Sequence, residues 1–293
     1  MSALLDRLGE ALTVLRAFQR RWRATLFVGF TALFLAGVAY SVWRLEIDPA
    51  SVDLAWLGIL AATIPFSFVY AAFNLRLLAA GAGTSIGFAD AWKAANIAQA
   101  AEFLPLPGGA MVRGGVLVDR GVPTKAAAAH VLVNALLWVG ISAAAAGAAF
   151  GGSTPFSFAL IAIGSSLTLG CTLWLAGIAG SAIALAAMAL RCLGLAIIGL
   201  RLVCAFAVLA EPISLVDTLP LSFATILGTA SSLAPGGLGI SEGLASLMAG
   251  VLYLDPTVAF LAVGLNRLFG LMFCGTISLT LLAPAGRRGT NLG

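Results

Sequence analysis

Residues 231–243 read SSLAPGGLGISEG, a helix-breaking run inside a chain otherwise built for lipid. Pro235 supplies no backbone donor, and Gly236, Gly237 and Gly239 supply no side chain. An unsatisfied backbone group in hydrocarbon costs several kcal/mol, so a break of this kind survives only where protein or a water-filled cavity encloses it. A carboxylate, Glu242, follows seven positions after the proline. Upstream, residues 102–115 (EFLPLPGGAMVRGG) repeat the pattern, with Pro107, Gly108 and Gly109 in register and Arg113 in place of the acid. Two breaks in corresponding places point to a binding site between two repeats.

The 293 residues are 61% hydrophobic and 10% charged, against about 25% charged in an average soluble domain. This is the composition of a polytopic membrane protein, and six spans of about 20 residues with their connections use up the length. No solvated basic domain is present, which argues against a nucleic-acid partner. Cys171, Cys192, Cys204 and Cys274 lie singly in apolar runs and read as inert thiols. No metal-ligand cluster, P-loop, nucleophile elbow or dinucleotide fingerprint occurs, so neither a metal, a cofactor nor an enzyme activity is expected.

Residues 1–23 place Leu4, Leu5, Leu8, Leu12, Leu15, Phe18 and Trp22 at helical spacing, with arginines mostly elsewhere around the helix. This is a basic amphipathic helix expected to lie on the anionic cytoplasmic leaflet. A single transmembrane domain is expected over 24–286, with spans at 24–43, 54–73, 123–150, 155–176, 192–210 and 256–283. Residues 177–190 read as an interfacial or tilted continuation of the fourth span. Residues 88–119 and 219–248 are too polar or too broken to cross as one helix and read as re-entrant hairpins. A short cytoplasmic tail, 287–293, closes the chain.

Charge placement orients these elements. The basic N-terminal segment, the 76–125 region, Arg191 between spans four and five, and Arg287 with Arg288 fall on the cytoplasmic side. The acidic loops around Asp48 and Asp217 fall outside. Both termini are therefore expected on the cytoplasmic side of a cell inner (cytoplasmic) membrane. The fold expected is all-α, with about six transmembrane helices and two broken re-entrant hairpins in an inverted repeat. Its units are 54–150 and 192–283. In each, a Pro-Thr pair opens the last helix (Pro123-Thr124, Pro256-Thr257), and an asparagine follows inside it (Asn134, Asn266).

PGGLGISEG within this layout resembles the lysylphosphatidylglycerol synthase transmembrane-region family, flippase-like proteins related to the membrane half of the multiple peptide resistance factor. The likeness covers about residues 20 to 283, and its specific part is Pro235, Gly236, Gly237, Leu238, Gly239 and Glu242. Gly109, Arg113 and Arg267 also fit the family pattern. Ser241, Ala110, Asn134 and Ala135 stand where the family often carries charge. The resemblance implies translocation of a lipid or lipid-linked substrate.

Arg267 lies 11 residues into its span, about 16 Å deep and near the middle of a bilayer about 30 Å thick. A charge there costs at least about 2.5 kcal/mol and faces a partner or a cavity. Glu242 is the natural partner. Either the two form a structural ion pair pinning hairpin to span, or they gate an anion site for which the planar fork of arginine is suited. Arg113 either belongs to the same site or snorkels to the cytoplasmic surface. Arg201 either pairs with Glu102 or Glu242 or faces the cavity. Glu102 is a half-helix cap, a charge partner or a proton carrier. His130, the only histidine, is a packing residue or a proton-coupling group. Asn134 and Asn266 bond between helices or touch substrate. Gly108, Gly109, Gly236 and Gly237 offer backbone donors at half-helix N-termini. The expected function is translocation of an anionic phospholipid or polyprenyl-phosphate-linked lipid between leaflets. The alternatives are a carrier for a small soluble anion and a membrane scaffold for a lipid-modifying or glycosylating enzyme. Glycine- and alanine-rich spans would permit a homodimer.

Overall fold

In a computed structural model the chain is described at residue 25 and at residues 28–46, 52–102, 107–152, 154–231 and 235–282. The expected interfacial helix at 1–23 and the tail at 287–293 lie outside the described residues. The regular structure among the described residues is all helical, without strands. The helices are α1 (Val28–Arg44), α2 (Leu54–Gly81), α3 (Phe88–Ala101), α4 (Gly108–Asp119), α5 (Thr124–Ala149) and α6 (Pro155–Ala179). They continue with α7 (Ser181–Val208), α8 (Thr218–Ala230), α9 (Ile240–Val251) and α10 (Pro256–Leu282), and a single 3-10 turn covers Pro235–Gly237. Among the described residues five helices, α2, α5, α6, α7 and α10, are long and apolar enough to cross a membrane; α1 is apolar but shorter as described.

Polar residues at the apolar boundaries start the long helices. Asp53 accepts from the backbone N–H groups of Ala55 and Trp56 to open α2. Thr154, followed by Pro155, forms a capping box with Ser157 to open α6. Asp255, followed by Pro256, accepts from Thr257 and Val258 to open α10. The charge-free run after residue 155 divides at one residue. Gly180 adopts φ 89° and ψ 156°, a conformation essentially restricted to glycine.

That junction corrects two expectations. The fifth span begins at Ser181, not at 192, so residues 177–190 are not an interfacial continuation, and the second unit starts eleven positions earlier than expected. Arg191 is consequently not in a cytoplasmic loop; it is 3% exposed inside α7. The second span is also longer than expected, running to Gly81, with Asn74 and Arg76 inside it.

Two stretches now match in helix length. α2, α3, α4 and α5 have 28, 14, 12 and 26 residues; α7, α8, α9 and α10 have 28, 13, 12 and 27. α2 packs on α7, α5 on α8, and α10 on α3. The last helix of each stretch therefore lies against the broken pair of the other. α6 joins the stretches and packs on α5 along a glycine seam. α1 reaches α10, where Gly37 meets the Phe260 ring and the Phe34 ring stacks on it at 6.2 Å.

Candidate functional site

Each break is built from close backbone contact. In the first, α3 ends at Ala101 and α4 starts at Gly108. A Cβ on Gly108 would collide with the Ala101 carbonyl, and one on Gly109 would come within 2.5 Å of Glu102 Cγ. In the second, Gly236, Gly237 and Gly239 take φ values of 57°, 76° and 77°, a region where side chains are strained. A Cβ on Gly237 would approach the Gly228 carbonyl carbon and oxygen to 2.7 Å. The N–H of Gly236 donates to the Glu102 carbonyl oxygen at 2.7 Å, so the two breaks touch.

Beside that contact lies a cavity of about 370 Å³, walled by α2, α3, α4, α5, α7, α8 and α10. Arg113, Arg191, Arg201 and Arg267 all line it. Arg113 Nη2 bonds Glu102 Oε1 at 2.6 Å. Arg267 Nη2 donates to Ser241 Oγ at 2.6 Å. Its Nη1 faces Glu242 Oε1 at 3.4 Å, a charge contact outside hydrogen-bond geometry. Glu242 Oε2 accepts from the N–H of Gly239 at 2.8 Å, the backward half of a capping box on α9.

The other two arginines face no carboxylate among the described residues. Arg191 Nη1 donates to Tyr70 Oη at 2.9 Å, and its guanidinium lies 4.4 Å above the Trp138 ring, a cation–π arrangement. Arg201 donates to Ser67 Oγ and to the Asn266 carbonyl, both at 2.9 Å. Among the described residues Glu102 is the only acid on the lining, with Glu242 directly behind Arg267. Four guanidiniums against two carboxylates leave two positive charges.

Of the residues expected from sequence, Glu102, Pro107, Gly108, Gly109, Arg113, Asn134, Arg201, Gly236, Asn266 and Arg267 line one cavity. Glu242 is 0% exposed and stands behind Arg267 rather than on the lining. Gly237 is not on the lining; it closes the turn against Gly228. Pro235 begins the 3-10 turn. His130 is not brought to the cavity. It is buried with Nδ1 2.9 Å from the Ala126 carbonyl, Nε2 3.0 Å from the Gly81 carbonyl, and its ring edge-on to Trp174. Arg201 pairs with neither Glu102 nor Glu242, and Arg113 turns to Glu102.

Sequence reasoning missed Arg191, Tyr70 and Trp138. The signal was present: Arg191, Gly194, Ile198 and Arg201 recur at offsets of three, four and three, one face of a helix, once α7 is started at Ser181.

These features define a class: an all-helical chain with five helices of membrane-crossing length and an arginine-lined cavity where two helix breaks meet. The chain matches no family model, no curated protein and no solved structure.

Proposed function

We propose that this chain is a translocase of the cytoplasmic membrane that carries an anionic amphiphile, a phospholipid or a polyprenyl-phosphate-linked lipid, between leaflets. The observation that carries the reading is the residual charge of the cavity, two guanidiniums beyond the available carboxylates, held at the meeting of two helix breaks. Broken helices in paired units with a site between them are the construction of secondary transporters. On this reading the two stretches matched in length are an inverted repeat, α1 completes six crossings, and the breaks enter from opposite leaflets. The head group occupies the cavity while its tails stay in the bilayer. The resemblance of PGGLGISEG to flippase-like membrane proteins points the same way.

A scaffold would need no cavity at the hairpins, and the cavity weighs against that alternative. The test is reconstitution with head-group-labelled anionic lipids. Faster appearance of label in the opposite leaflet than in empty vesicles is expected, with the gain abolished in Arg201→Gln. Equal rates in empty vesicles and proteoliposomes would refute translocation.

A further inference from the structure

We infer that the ligand of this cavity ends in a phosphate dianion, a phosphomonoester or pyrophosphate rather than a phosphodiester, and that Arg191 and Arg201 hold it. The inference rests on the cavity being an anion site, the reading given above, and does not require transport.

The cavity divides its four arginines into two kinds. Arg113 and Arg267 each have an acid, Glu102 and Glu242. Arg191 and Arg201, both on α7, have only neutral partners. They are 3% and 9% exposed, and the Nε of each is buried without a hydrogen-bond partner among the described residues. Arginine does not shed its proton in a protein. A buried guanidinium without a counter-charge is costly, and a ligand that supplies the charge removes that cost. Among the described residues no other Asp, Glu, Lys or His lines the cavity, so the demand is for two negative charges.

Both heads are anchored on one helix. Their α-carbons are ten positions apart on α7, about 15 Å of helix rise. Their Nη1 donors are anchored on Ser67 and Tyr70, three positions and about 4.5 Å of rise apart on α2. α2 and α7 pack together, so both heads are held on the wall that these two helices give the cavity. The free Nε edges, with the unpartnered Trp138 Nε1 on the same lining, leave donors for phosphate oxygens.

Charge then discriminates between head groups. A phosphodiester brings a single charge and leaves one guanidinium uncompensated. A phosphomonoester carries about −1.5 to −2 near pH 7, its second pKa being about 6. Preference for the monoester should therefore be present near neutrality and fade as pH falls below about 6, where both lipids are monoanions.

The experiment measures binding of phosphatidic acid and phosphatidylglycerol to the purified chain in zwitterionic-lipid nanodiscs. It uses about pH 7.5 and about pH 5, with inorganic phosphate as competitor. Phosphatidic acid is expected to bind at least about tenfold tighter at the higher pH, the cost of one unmatched charge, with near parity at the lower. Arg191→Gln and Arg201→Gln are expected to remove the preference. Should either fail to fold, Ser67→Ala and Tyr70→Phe untether the same two heads and are expected to reduce it. Competition by millimolar phosphate would assign the site to the soluble dianion, and no competition would assign it to the amphiphile; both support a terminal phosphate. Equal affinity for the two lipids at the higher pH, or a preference untouched by these substitutions, would overturn the inference. A monoester preference without leaflet exchange would sink translocation alone. Exchange of both lipids at equal affinity would sink this inference alone.

Discussion

The N–H of Gly236 donates to the carbonyl of Glu102 at 2.7 Å, and Glu102 is the residue whose carboxylate holds Arg113. One residue at the end of α3 thus joins the backbone of the second break to a charged wall of the cavity. The two hairpins therefore meet through this backbone hydrogen bond.

The tightness of the second break is the first thing to test. Gly237 combines φ 76° with a would-be Cβ contact of 2.7 Å to the Gly228 carbonyl. Gly237→Ala meets the left-handed penalty of about 1–2 kcal/mol and a backbone collision besides. Gly243, in α9, has nothing within 4 Å of the same position, and Gly243→Ala should gain about 0.5–1 kcal/mol of helix stability. Thermal unfolding in detergent should place Gly237→Ala well below the parent and Gly243→Ala at or above it. Equal melting of the two variants would contradict the close approach of the break to α8.

Arg267 and Glu242 form a buried pair, with side chains 8% and 0% exposed. Removing one partner from such a pair typically costs about 3–5 kcal/mol, because the other charge is left buried, while replacing both costs less. Glu242→Gln keeps an acceptor for the Gly239 N–H, and Arg267→Met keeps the length of the side chain. Each single variant should be strongly destabilised, and the double variant should lose less than their sum. Strict additivity in unfolding measurements would mean the two groups do not interact, leaving Ser241 as the anchor of Arg267.

The α5–α6 seam accounts for three of the many glycines in the apolar runs. A Cβ on Gly164 would collide with the Ala144 nitrogen and lie 2.7 Å from the Gly140 carbonyl; Gly140 and Gly147 meet α6 just as closely. Small residues let membrane helices approach at the backbone. Gly164→Val forces the pair apart at about 1–3 kcal/mol, the usual range for overpacking, or more. Gly170→Val, on open surface of the same helix, should leave the melting temperature within a few degrees of the parent. If both valines melt alike, the seam is not a packing contact.

Local chemistry made the breaks legible and tertiary pairing hid the rest. Pro-Gly-Gly announces a helix end in any context, and both breaks fall within the expected hairpins. The Pro-Thr pairs likewise mark the starts of α5 and α10. Arg191 was read as a boundary because an arginine in an apolar run ordinarily belongs at a membrane surface. Its compensation comes from Tyr70, 121 positions away, and from the Trp138 ring, and no window along the chain contains that pair. Gly180 was equally silent: one glycine among many in that run, it divides two spans only because its φ and ψ do what other residues resist. Position along the spans pointed to Arg201 and Arg267 inside the membrane, but which arginines lack an acid is a property of the packing.

Asp255 offers a pH-dependent check on the end of α10, outside the apolar segment. Its carboxylate feels two opposed influences. Partial burial pushes its pKa up, and the N–H groups of Thr257 and Val258, with the more distant Arg44, pull it down; the net shift is downward. The hydrogen bond to Thr257 N, 2.6 Å long, is that of an N-cap ahead of a proline at the first helical position. A carboxyl whose folded pKa lies below its unfolded value of about 3.9 stabilises the fold above that value and loses the contribution as pH falls through the lowered folded pKa. Asp255→Ala should therefore cost about 1 kcal/mol near neutral pH, and the gap from the parent should narrow as the medium is taken below about pH 3.9. Asp255→Asn, which keeps the acceptor but cannot titrate, should fall between the two at neutral pH and show the weakest pH dependence. Unfolding curves in detergent across that range supply the measurement. A gap between parent and alanine variant that stays constant with pH would show that the charge of Asp255 contributes nothing to the cap.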